Sequence, residues 1–197
     1  MRMKYQILVL FISLNAIAYG QWKDISLLVK VGSANYDLVI PVGLNSNSDW
    51  WGNSAQLSLG IEYPLNEDLS LQGLFLFSNH SLINNYLVNI EQDNPQIRLF
   101  DFMCNLKWNI GYFYVIGGIG LSFRHIDEIG FIANGIYYKM EFLGSNKTVK
   151  AALLGIGFDI KIINQLNLIA ESNINVRTNW GTALLVGLKY HLFKNEE

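Results

Sequence analysis

The residues with catalytic reach are few and scattered: three histidines (His80, His125 and His191) and one cysteine, Cys104. His80 and Ser81 are adjacent, and in an extended chain neighbours project to opposite faces. The imidazole is then not placed to take that hydroxyl's proton, as a general base must. His125 and Asp127 share a parity, but the glycine-interrupted stretch that follows is not expected to stay extended. Three dispersed histidines make no metal site, and a lone cysteine allows no intramolecular disulfide. Gly117, Gly118, Gly120, Gly155 and Gly157 would cradle a phosphate only if a helix followed. Strand periodicity continues instead, where glycine serves curvature or close packing. No catalytic residue, metal ligand or cofactor is expected.

The ionic residues do have a pattern. Lys30, Glu62, Asp101, Lys107, Arg124, Asp159, Lys161, Glu171 and Lys189 all fall on one parity of runs whose other parity is apolar. In segment 55–78, Leu57, Leu59, Ile61 and Tyr63 alternate with Ser58, Gly60 and Glu62, then Leu69, Leu71, Phe75 and Phe77 with Ser70 and Gln72. A period of two is the strand signature. The Pro64–Asp68 cluster between the runs is turn chemistry. The same grammar returns near 24–34, 97–108, 113–124, 149–162, 166–175 and 181–193. Eight strands result, joined alternately by long (35–54, 79–96, 125–148, 176–180) and short (64–68, 109–112, 163–165) connections.

Composition agrees with a membrane setting. The 197 residues are 51% hydrophobic and 15% charged, against about 25% charged in an average soluble domain. No internal run approaches the ~18 apolar residues of a membrane helix. A net charge of -2 lacks the basic footprint of nucleic-acid binding. At the N-terminus, Arg2 and Lys4 precede an apolar core (5–17) and Ala18-Tyr19-Gly20, the layout of a secretory signal peptide. The expected division is a signal peptide at 1–20 and a barrel domain at 21–197.

The fold class predicted is an all-β, eight-stranded antiparallel up-and-down transmembrane β-barrel preceded by a signal peptide. Short turns would face the periplasm and long loops the exterior. The nine ionic residues would line a lumen narrow enough for side chains to fill, paired with one another because buried charge must be. The other parity is nearly bare of charge, as lipid requires: Arg or Lys at the bilayer midplane costs about 2–4 kcal/mol. Tyr63, Trp108, Tyr190 and Phe193 would form one aromatic girdle, and Phe75, Phe77, Phe100 and Phe123 the other. Cys104 lies on the lipid-facing parity as an apolar filler. Trp50 and Trp51 fall in the first long connection, as an extracellular contact or as packing across the barrel mouth.

The runs GIEYPLNEDLSLQGLFLFS, IRLFDFMCNLKWNIGYFYVIGGIGLSFR and GIGFDIKI resemble the PorT-like and OmpA-like eight-stranded outer-membrane barrels, and the resemblance spans the whole mature chain. It implies the bacterial cell outer membrane as location, with the lipid bilayer and the barrel-assembly machinery as partners. Relatives include anchors and adhesins, and the family pattern carries no catalytic residues. In many such barrels a terminal aromatic ends the chain; here Lys194 to Glu197 follow Phe193. The functional expectation is a non-enzymatic, structural or surface-interaction role carried by long outer loops, with an extracellular ligand or envelope partner. A narrow porin-like channel for ions or small solutes is the alternative. A soluble exported lipocalin-like carrier, with its apolar face turned inward, is the second.

Overall fold

A computed structural model describes residues 25–41, 47–81, 96–126, 129–133, 136–140, 146–177 and 180–192. The signal-peptide segment 1–20 and Phe193 lie outside them. Ten strands are present: β1 (Ser26–Pro41), β2 (Asn47–Pro64), β3 (Leu69–Ser81), β4 (Gln96–Ile110), β5 (Phe113–Ile126), β6 (Ile129–Ala133), β7 (Ile136–Met140), β8 (Asn146–Ile163), β9 (Leu166–Val176) and β10 (Trp180–His191). Eight of them close into a barrel in the order β1-β10-β9-β8-β5-β4-β3-β2, all antiparallel, while β6 and β7 pair only with each other. This separate hairpin lies within the 125–148 connection.

Tight turns close the lower rim. At residues 65–68 the Asn66 Oδ1 accepts hydrogen bonds from the backbone N–H of Asp68 (2.9 Å) and Leu69 (2.8 Å), an Asx turn. Between β4 and β5 only Gly111 and Tyr112 intervene. Gly111 has φ +65°, and an added Cβ would meet nothing within 4 Å. Backbone conformation, not space, therefore demands glycine in this two-residue hairpin loop.

The register sets the barrel's shape. Partners followed from Ser26 run through Glu62, Gln72, Asn105, Gly118, Leu153, Asn175 and Gly181, and return to β1 at Tyr36. The stagger is ten residues, from 26 to 36. With standard strand spacing and rise this tilts the strands by roughly 40° and gives a backbone radius of about 8 Å. Such an interior is filled by side chains.

The upper rim is uneven. The β1–β2 ribbon continues to Pro41 opposite Asn47, while β9 and β10 stop at Val176 opposite Trp180. Trp50 and Trp51 are thus strand residues of β2, opposite Leu38 and Asp37, and not part of a loop. Their side chains lie outside the described residues.

Outward side chains are apolar and exposed along every barrel strand, among them Val31, Ile61, Phe102, Ile119, Leu154 and Leu184. Cys104 is exposed with them. This inside-out burial excludes the lipocalin-like arrangement, whose apolar face is its core. Aromatics ring the lower end: Tyr63, Trp108, Phe113, Phe158 and Tyr190, with Phe113 and Phe158 rings 4.5 Å apart. Higher up, β3, β4 and β5 carry one phenylalanine cluster: Phe75–Phe102 (5.0 Å), Phe77–Phe100 (5.0 Å) and Phe102–Phe123 (5.9 Å). Trp180 stands at the top of β10. From the register and tilt, the two aromatic levels are on the order of 20–25 Å apart, the height of an outer-membrane apolar band.

Candidate functional site

The ionic side chains meet inside the barrel in three tiers. The lowest holds Glu62, Lys107, Asp159 and Lys189, supplied by β2, β4, β8 and β10, every second strand around the barrel. Each lies two to four residues from the short-turn end of its strand. Lys107 Nζ reaches Asp159 Oδ2 at 2.7 Å and Glu62 Oε2 at 3.2 Å. Lys189 Nζ reaches Glu62 Oε1 at 3.3 Å and also pairs with Asp159. Two cations and two carboxylates alternate, so the ring is neutral. Amides from the intervening strands complete it: Gln72 donates to Glu62 (2.6 Å) and Asn167 to Asp159 (2.6 Å). Lys107 also lies over the Tyr114 ring, 4.5 Å from its centre.

The middle tier is the pair Lys30 and Glu171, 2.7 Å apart with both side chains 1% exposed. Tyr114 donates its hydroxyl to Glu171 (2.8 Å), Asn173 donates to the other carboxylate oxygen (3.0 Å), and Asn175 donates to Asn173 (2.7 Å). Gly157 makes the tier possible: a Cβ there would stand 2.4 Å from Tyr114 Cζ. Around these groups Leu28, Leu74, Leu76, Met103, Ile116, Leu153 and Ile169 form a buried apolar cluster. Parity alone had suggested small and polar residues here. These interior positions are buried among other side chains, so large apolar groups fill them equally well.

The upper tier pairs Asp101 of β4 with Arg177, the residue after β9. Arg177 Nε donates to Asp101 Oδ2 at 3.1 Å, and its Nη2 also contacts that oxygen. The Arg177 guanidinium lies 5.8 Å from the Tyr36 ring centre, and Tyr36 packs against His80 with centroids 5.6 Å apart. His80 Nδ1 faces the Gly52 carbonyl (3.3 Å), which only accepts, so this nitrogen bears the proton. Nε2 then accepts from Ser78 Oγ at 2.9 Å. The partner of His80 is therefore the same-face Ser78; Ser81 is exposed on the opposite face.

Of the nine sequence-derived positions, Lys30, Glu62, Asp101, Lys107, Asp159, Glu171 and Lys189 are brought together in these tiers. Arg124 sits on the inward parity opposite Leu99 and Lys147, half-buried near the top. Lys161 stands exposed at the lower rim, where the β8–β9 register slips between Lys161 and Ile163. Lys161 is still in register with Asn167 and keeps the inward parity, but it stands beyond the ring, two residues from the end of β8. The charge network expected from the sequence did not include Arg177, Tyr114, Gln72, Asn167 or Asn173. The last four lie on the charge-bearing parity and were legible from it. Arg177 continues the parity of Glu171, Asn173 and Asn175 one step past its strand.

Comparison with known proteins agrees with this geometry. A family model described as "Outer membrane protein beta-barrel domain" matches residues 7–194. No curated protein matches the sequence. The attachment invasion locus protein Ail of Yersinia pestis superposes with a TM-score of 0.52 at 15% identity, covering 86% of this chain and 99% of Ail. The outer membrane protein OprG of Pseudomonas aeruginosa gives 0.52 at 13%, covering 86% and 97%. Outer membrane protein AlkL gives 0.51 at 12%, covering 89% and 93%. At these identities the likeness is one of fold.

Proposed function

The chain belongs to the outer membrane protein β-barrel domain family and resides in the bacterial outer membrane, and on that premise we propose that it is a closed, non-conducting barrel whose role is structural or surface-interacting. The observation that carries the reading is the neutral lower ring. Four charged groups from alternate strands, joined by amides from the strands between, span a lumen whose walls are only about 16 Å apart, backbone to backbone. Opening a water path would require separating paired buried charges, at several kcal/mol per ion. With the lumen so occupied, recognition belongs to the outer connections, which a rigid scaffold presents.

In this reading the protein is not an enzyme. The Ser78–His80 contact is buried on both sides, and the ring is oriented by a backbone carbonyl in place of a carboxylate. Closer kinship to the PorT-like or OmpA-like barrels rests on the three runs quoted above. The test is single-channel recording from inserted, folded protein in a planar bilayer. Silence is expected. Steady, reproducible conductance would overturn the closed barrel and establish a channel for ions or small solutes. If protease shaving of the outer loops in intact cells removed no surface binding, the interaction role would fail.

A further inference from the structure

Among described barrel-strand residues whose side chains face outward, the basic ones are Arg98, His125 and Lys150. They lie on three consecutive strands, β4, β5 and β8, near the upper end. Arg98 is directly opposite His125, and His125 is opposite Asn146, to whose Oδ1 its Nδ1 donates at 2.6 Å. Lys150 lies four residues down β8 from Asn146, in the row of Leu121, Phe102 and Phe75. A stagger of ten residues over eight strands lifts each successive strand by a little over one residue. Lys150 thereby stands within roughly 4 Å of the height of Arg98, about 16 Å away along the barrel wall.

Directly below lie Phe77, Phe100 and Phe123, then Phe75 and Phe102. A cationic row capping an aromatic and apolar face, at the upper edge of the lipid-facing band, matches an amphiphile with anionic headgroup and acyl chains. The described acids with described side chains stand elsewhere: Glu62, Asp101, Asp159 and Glu171 in the lumen, Glu67 and Asp68 in the lower turn. Asp127 and Glu128 follow His125 in sequence, outside the described residues. Arg98 and Lys150 would be costly on this face if they met only hydrocarbon. At headgroup depth each instead attracts anionic lipid.

We propose that the outer face of β4, β5 and β8 binds a phosphorylated lipid of the outer leaflet, with Arg98, His125 and Lys150 on its phosphates and the phenylalanine cluster under its acyl chains. The site lies on the opposite side of the barrel wall from the ionic tiers and stands whether or not the lumen conducts.

The test uses the folded protein in phosphatidylcholine nanodiscs doped with lipid A, with bound lipid counted by native mass spectrometry. The expected result is selective retention of lipid A over phosphatidylcholine. It should fall about 20-fold in the double variant Arg98→Gln/Lys150→Gln, at roughly fivefold per basic residue, and stay unchanged in Lys161→Gln. The wild-type protein with dephosphorylated lipid A gives a second reading that needs no variant, with retention expected to fall as far. Equal retention of phosphorylated and dephosphorylated lipid would overturn the proposal. So would a folded double variant that retains as much lipid A as wild type, or inorganic polyphosphate binding in solution as tightly as lipid A.

Discussion

The two ends of the lumen are lined differently. At the lower end, four charged side chains rise from four separate strands, and each touches two partners of opposite sign. At the upper end, among the described residues, the carboxylate of Asp101 is held by the Arg177 guanidinium, and that cation comes from the residue beyond the end of β9. Strand positions are fixed by ladders on both sides; a residue past the last ladder pair is fixed on one side only. In the closed-barrel proposal, redundant pairing on rigid elements makes a permanent closure, whereas the pair carried by a strand terminus makes a latch. The lower ring is thus the stability element of the lumen, and the upper pair sets the shape of its mouth.

That contrast breaks most readily at Lys107. Lys107→Met removes the cation shared by Glu62 and Asp159 and leaves the ring with a net charge of -1. Unfolding in urea from lipid vesicles should show a loss of about 3–5 kcal/mol, as for one partner taken from a buried pair. A loss below 1 kcal/mol would mean that the ring is not the closure described here. The next largest effect is expected from the tier above. Gly157→Val drives a side chain into the Tyr114 ring and should cost about 1–3 kcal/mol by overpacking. Combined with Tyr114→Ala, part of that loss should return in the same assay.

Arg177→Gln sharpens the comparison from the other end. It leaves Asp101 without its charge partner near the open mouth, and a loss of roughly 1–2 kcal/mol is expected, smaller than that of Lys107→Met. Bilayer recordings of this variant should remain silent because the lower ring is intact. Equal losses for the two variants would erase the distinction between closure and latch. Lys161→Gln, at the exposed lower rim outside the ring, should change stability by no more than about 0.5 kcal/mol.

Alternation made much of this arrangement legible in advance. Lys30, Glu62, Asp101, Lys107, Asp159, Glu171 and Lys189 each share a parity with glycine, serine or asparagine, and all but Glu171, which lies between Ala170 and Ser172, are flanked by aliphatic or aromatic residues. Lys161 shares that parity yet stands exposed at the lower end of β8, because parity gives the face of a strand and not the depth along it. Trp50 and Trp51 were read as loop because the Asn- and Ser-rich stretch before Ala55 looks unlike a strand. Pairing along the β1–β2 ribbon carries the strand through it. Tyr114 carries no charge to mark it as part of the network, although its parity places it inside.

The sequence by itself determined the class of the molecule and the two-faced character of its strands, because side-chain period and turn chemistry are local properties of a chain. Which charge meets which was decided only by the closed sheet. Lys30 and Glu171 are 141 residues apart in sequence, and Lys189 and Glu62 are 127 apart. No local pattern relates such pairs. They are brought to one height by the ten-residue stagger, which exists only once hydrogen-bond registers have been summed around the barrel.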